Sequence, residues 1–261
     1  MGRVGMADTK QVGALLLVTG AALAFWSFGD RESSGEHRVD SKISTVRLDS
    51  PNADITIKVG DGDTTTVQEK RKYWLIKHGD TYSVDGETLK LDGDCGWQCT
   101  ADFVITVPRG TKVTGENGTG DLSITGVGGI DASSRSGDIS LRDVTGDVKL
   151  DLTSGDVEID RLTGKLDIVA TSGDIDATRL KGGAVNVETT SGDLQLELDE
   201  QNDVRAKGTS SDVEVKAPAG DYKVHTETRS GDVENGLGNA PDGSHSIDAS
   251  TVSGDVTLAT R

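Results

Sequence analysis

The chain has 261 residues, of which 33% are hydrophobic and only 3% aromatic, with 34 glycines and 27 Lys and Arg set against 44 Asp and Glu, a net charge of −17. So few aromatic side chains argue against a large globular core, while the regular alternation of Val, Ile and Leu argues against disorder. An acidic surface of this size repels nucleic-acid phosphates, which excludes DNA or RNA as a partner of the main body, and it stays compatible with divalent cations and basic surfaces.

Residues 12–28, VGALLLVTGAALAFWSF, carry no charge, follow Arg3 and Lys10, and precede a polar, acidic stretch from Asp30 to Glu36. This is a membrane-targeting segment whose cationic flank, residues 1–11, stays cytoplasmic. Ala22-Leu23-Ala24 has the small-x-small form of a signal-peptidase site, so cleavage after Ala24 would give a secreted protein. Retention would make the segment a single-pass transmembrane helix with Phe25, Trp26 and Phe28 at the outer interface, the reading that the FWSF run favours. On either reading residues 29–40 are a linker, and the remainder lies outside the cytoplasm.

Residues 41–115 alternate polar and apolar positions less regularly. SPNADITIKVGDGDTTTVQ at 50–68 joins a turn to a strand with Ile55, Ile57 and Val59 on one face, and TLKLDGDCGWQCTADFVITVP at 88–108 reads as two strands joined by a short loop. These are expected to be irregular first coils that cover the N-terminal edge of a regular repeat beginning at residue 116. KRKYWLIKH at 70–78 breaks the acidic background. Lys70, Arg71, Lys72, Trp74 and Lys77 could touch anionic envelope polymer or lipid headgroups, or the segment could be an edge strand whose lysines deter pairing.

Cys95 and Cys99 are the two cysteines, and outside the cytoplasm a close pair is most simply a disulfide. A redox centre would need a Cys-x-x-Cys at a helix start. A zinc site would need two more ligands, and His37, His78, His225 and His245 stand at no ligand spacing from the pair.

From residue 116 to 261 one unit recurs. The triplet Ser-Gly-Asp or a near copy ends at Asp121, Asp138, Asp156, Asp174, Asp193, Asp212, Asp232 and Asp255, with weaker half-way copies at Asp147, Lys165, Asp203 and Asp221. Each is followed by an apolar-x-apolar strand, as in GDVKL, GDVEI, GKLDI, GDLQL and SDVEV. A strand this short cannot bury its apolar side alone, but successive copies stacked in register can. The fold expected is all-β: a parallel β-solenoid with about eighteen residues and two main strands per coil. Val157, Ile159, Leu166, Ile168, Ile175, Val185, Val187, Leu194 and Leu196 point inward, and the turns are made by Gly137-Asp138, Gly155-Asp156, Gly173-Asp174, Gly192-Asp193, Gly231-Asp232 and Gly254-Asp255. At ~4.8 Å between strands, seven or eight coils make a rod on the order of 35–40 Å long.

Carboxylates stacked coil upon coil repel one another. Either each aspartate accepts hydrogen bonds from the backbone of its own turn, or Asp138, Asp156, Asp174, Asp193 and Asp212 share calcium ions between rungs. The first reading is preferred. The nine-residue calcium repeat keeps one residue between Asp and the apolar position, whereas here they adjoin, and Lys165 interrupts the half-way series.

The run of [ST]-G-D-[VIL]-x-[LI] units, the opening ITIKVGDGDTTTV, the DCGWQC…DFVITVPRG segment and the single N-terminal apolar segment resemble the bacterial β-strand-repeat, cell-envelope proteins known as putative adhesins, domains of unknown function. The resemblance covers roughly residues 40–261. It implies a β-solenoid, an extracytoplasmic place and no catalytic residues. No G-x-S-x-G, Ser/His/Asp arrangement or H-E-x-x-H is present either. The chain is therefore expected to be a non-catalytic, membrane-anchored interaction or scaffold protein of the envelope, without a cofactor and with an envelope polymer or protein as its partner. The alternatives are a calcium-dependent binding module and a carbohydrate-active enzyme on a β-helix.

Overall fold

A computed structural model describes residues 31–73, 80–94 and 99–261. The expected membrane segment at 12–28 lies outside these residues, and among them no helix is long and apolar enough to cross a membrane. Among the described residues twenty-three strands form two sheets. The first eight are β1 (Arg31–Val39), β2 (Thr45–Ser50), β3 (Ile55–Val59), β4 (Thr65–Tyr73), β5 (Tyr82–Asp85), β6 (Thr88–Leu91), β7 (Cys99–Val107) and β8 (Lys112–Thr119). The regular stack holds β9 (Leu122–Thr125), β10 (Ile130–Ser136), β11 (Ile139–Val144), β12 (Val148–Leu152), β13 (Val157–Thr163), β14 (Leu166–Ser172), β15 (Ile175–Lys181), β16 (Val185–Ser191), β17 (Leu194–Leu198), β18 (Val204–Lys207) and β19 (Val213–Ala217). The last four are β20 (Tyr222–Ser230), β21 (Val233–Asn235), β22 (His245–Ser253) and β23 (Val256–Thr260).

Within the stack, odd strands pair only with odd and even only with even, always in parallel. Val148 sits beside Ile130 and Leu166, and Val157 beside Ile139 and Ile175. One coil therefore takes 18 residues there, and later steps such as Leu166 to Val185 take 19. Alternation along each strand sends every second residue into the space between the sheets. All nine residues expected to point inward are buried there, in aligned rows of Val, Ile and Leu.

The N-terminal end departs from this pattern. Residues 31–39, assigned to a linker on composition, form β1, which pairs antiparallel with β4, and β4 pairs antiparallel with β7. β4 is thus not an edge strand, because β1 covers it. The two strands expected within 88–108 are β6 and β7, and they part between the sheets: β6 joins the even sheet beside β2, and β7 joins the odd sheet beside β3. β5 closes the even sheet by antiparallel pairing with β6.

The C-terminal end inverts the chain order. The even sheet runs β18-β22-β20 and the odd sheet β19-β23-β21. The coil formed last in sequence, 245–260, therefore lies inside the one formed before it, 222–235. Side chains account for this. The inner position buries Ile247, Ala249, Val256 and Leu258. In the same register the outer coil offers Val224, Thr226, Val233 and Asn235, whose polar members suit a solvent-facing end.

Candidate functional site: the aspartate corner and the even-sheet groove

One corner of each regular coil carries Ser-Gly-Asp or a near copy of it. The aspartates there do not bond to their own turns, as the sequence suggests; each reaches to the next coil. Asp121 accepts the backbone N–H of Asp138 at 2.9 Å, Asp138 that of Asp156 at 3.0 Å, Asp156 that of Asp174 at 2.9 Å, Asp174 that of Asp193 at 2.8 Å, and Asp193 that of Asp212 at 3.0 Å. The inverted end follows spatial rather than chain order: Asp212 accepts from Asp255, and Asp255 from Asp232, both at 2.8 Å. Asp54 joins at the other end by accepting from Asp121 at 3.0 Å. The ladder arises because the N–H of each corner residue points along the rod axis toward the preceding coil, where a carboxylate is the acceptor in reach.

Beside it stands a column that is mostly glycine: Gly137, Gly155, Gly173 and Gly192, then Ser211, then Gly254 and Gly231. Gly155 has φ 113°, and a Cβ there would overlap the carbonyl oxygen of Gly137.

The five aspartates considered for calcium spend one carboxylate oxygen each on this ladder. Among the described residues no group of three or more His, Cys, Asp or Glu side chains is placed to hold a metal ion.

The basic segment divides. Lys70 and Lys72 are exposed on β4, while Trp74 and Lys77 lie outside the described residues. Arg71 is no surface contact. It is buried on the inner face of β4 and forms an ion pair with Glu69, itself buried and bonded to the Thr81 hydroxyl. β4 sends Thr65, Val67, Glu69 and Arg71 inward, so a charge run in sequence is split by strand alternation into exposed and buried halves. Cys99 is buried at the start of β7 and is not a free thiol; Cys95 lies outside the described residues.

Two features escaped the sequence reading. On the odd sheet, Asp143, Arg161 and Arg179 occupy the left-handed region in three successive coils, with φ of 55°, 63° and 56°. Arg161 donates to both carboxylate oxygens of Asp143, at 2.5 and 3.0 Å, and this bond holds the Asp143 carboxyl below the usual carboxylate range. Asp160 bridges Arg161 and Arg179.

The second feature is a groove on the outer face of the even sheet. Two adjoining depressions of about 440 and 420 Å³ share Glu116, Ser133 and Asp151 as lining. Arg47, Asp131 and Lys149 border one side, and Asp49, Arg135 and Thr153 the other. Between Glu116 and Asp151 the outward position on β10 is Ser133, where the later even strands carry Val169 and Glu188 in the same register. The short Ser133 side chain between the longer Glu116 and Asp151 leaves the hollow, and charges of both signs rim it. Lys90 holds the Asp49 carboxyl below its ordinary range by a 2.7 Å ion pair. Glu116, Asp151, Arg47 and Arg135 form no ion pair with the described residues.

The sequence profile of the Toastrack DUF4097 family matches residues 43–259, and the chain belongs to that family. Three solved structures are similar to it. A putative adhesin from Bacteroides fragilis is 13% identical, with 90% of this chain and 99% of that one covered and a TM-score of 0.41. A putative adhesin from Parabacteroides merdae is 9% identical, with coverage of 88% and 96% and a TM-score of 0.41. A putative cell adhesion protein from Clostridium sporogenes is 10% identical, with coverage of 88% and 100% and a TM-score of 0.33. The search of curated proteins gives no match.

Proposed function

We propose that this chain is a non-catalytic, adhesin-like interaction protein: a rod held at the membrane by residues 12–28, with its solenoid outside the cytoplasm and a disulfide between Cys95 and Cys99. The groove across β2, β8, β10 and β12 carries this reading. It offers hydrogen-bond donors and acceptors of both charge signs along four coils, without a hydrophobic pocket for a small ligand. Such a surface suits a long polar chain lying along the rod, as an envelope polymer would, and family membership supports the adhesin-like role.

Cosedimentation of the chain with purified envelope polysaccharide tests it. Wild type is expected to sediment with the polymer, and the pair Glu116→Arg and Asp151→Arg to weaken retention about tenfold, the range of one or two lost polar contacts. Equal retention of both proteins, or none, overturns the groove as the contact. Protection of the solenoid from external protease on intact cells overturns the extracytoplasmic placement.

A further inference from the structure

We infer that the C-terminal coils form a strap under a lid: residues 245–261 form a strap held between two coils, and residues 222–235 close over it, so the stack opens here from the lid inward and not from the strap.

Backbone pairing alone would let either coil sit next to β18 and β19. Both carry a Ser-Gly-Asp-Val corner, and they align residue for residue, Val224 with Ile247, Ser230 with Ser253 and Val233 with Val256. The strap is bonded on both faces. The Asp255 N–H donates to Asp212 behind it, and the Asp255 carboxylate accepts from Asp232 in front. Val213 N–H donates to the Asp255 carbonyl and Val256 N–H to the Asp232 carbonyl, each at 2.9 Å. The lid has a strap on one side only, and Val233 remains 45% exposed. Residue 261 is fastened as well. Its N–H donates to the Ala217 carbonyl at 3.0 Å, and the Arg261 guanidinium pairs with Glu197 at 2.6 Å and with Asp199. Residues 218–221 carry the chain past the strap to the lid, and residues 236–244, containing Gly236, Gly238, Pro241 and Gly243, bring it back.

In a solenoid built in chain order the last coil frays first. Here the last coil is locked in place by the one before it. Fraying then starts in the lid, and the strap cannot leave until the lid has swung away.

Hydrogen exchange on the full chain reads this order directly. Amides of 247–258 are expected to exchange at least tenfold more slowly than those of 224–234. Equal or faster exchange of the strap overturns the inference. A second measurement uses Thr226→Cys with Ala249→Cys, which join adjacent positions of lid and strap. The oxidised pair is expected to slow strap exchange at least a further tenfold, with recovery on reduction. Failure of the two thiols to join, or a strap whose exchange ignores the crosslink, also overturns it.

Discussion

The carboxylate of Asp156 accepts the backbone N–H of Asp174 from the neighbouring coil at 2.9 Å. Two opposing effects meet in this contact. The bond satisfies an N–H that would otherwise end at the corner, and a bond to a charged acceptor contributes about 1.5–3 kcal/mol. Against it, like charges about one strand spacing apart repel by about 1 kcal/mol in water, less in salt. Asp156→Ala is therefore expected to lower stability by about 1–2 kcal/mol in denaturant unfolding. Asp156→Asn keeps the acceptor oxygen and removes the repulsion, so it is expected to fall within about 0.5 kcal/mol of wild type. Equal losses in the two variants would show that charge, not the hydrogen bond, is what the corner needs.

Gly155 and Gly110 separate backbone strain from collision. Both have positive φ, 113° and 79°, but a Cβ on Gly155 would overlap the Gly137 carbonyl, whereas one on Gly110 meets nothing within 4 Å. Gly110→Ala is expected to cost about 1 kcal/mol from conformation alone. Gly155→Ala adds a forced separation of two coils, and its expected loss is about 3 kcal/mol or more. Thermal unfolding of the two variants checks the difference, which vanishes if the coils can slide apart freely.

The stack was legible because its signals are local. The spacing of Asp138, Asp156 and Asp174 sets the coil length, and the alternation after each sets the inward rows. The destination of each carboxylate was not legible, because its partner lies 18 or 19 residues away and comes close only once the coils have stacked. Arg71 misled because a run of charge reads as solvated until the inward face of its strand is known, and Arg71 shares that face with Thr65, Val67 and Glu69. The groove was missed because it is a coincidence between strands: Ser133 is unremarkable singly and leaves a hollow only between Glu116 and Asp151 of its neighbours. The inverted end rests on a contrast between Thr226 with Asn235 and Ala249 with Leu258, a comparison that has meaning only when both coils compete for one position.

Arg71 and Glu69 lie 6% exposed each, on the same inward face of β4. Removing one partner of a buried pair strands the other charge, which costs about 3–5 kcal/mol. Arg71→Met is expected to lose about that much, with most of it restored by adding Glu69→Gln in the same chain. Lys70→Ala and Lys72→Ala, on the exposed face, are expected to stay within about 0.5 kcal/mol of wild type. Chemical denaturation of the four variants checks the division of the basic segment. A mild Arg71→Met would place its guanidinium at the surface.

Asp176 gives a dependence on pH. It sits on the outer face of the odd sheet, next to Glu158 in register and beside Gln195, Glu197 and Glu214 in a hollow of about 90 Å³. Partial desolvation first, then Glu158 and Glu197, raise its pKa above the usual 3.8, with Lys216 acting in the opposite direction. Between the ordinary value and the raised one, the folded chain binds more protons than the unfolded chain, so stability falls as pH rises through that window and stays reduced above it. Asp176→Asn removes the ionised form. It is expected to raise stability at pH 7 by a few tenths of a kcal/mol, given the solvent exposure of the site, and to have little effect at pH 3, where Asp176 is mostly protonated in both states. Melting curves of wild type and variant across that range check the sign, and a gain as large at pH 3 as at pH 7 would assign the effect to packing instead of charge.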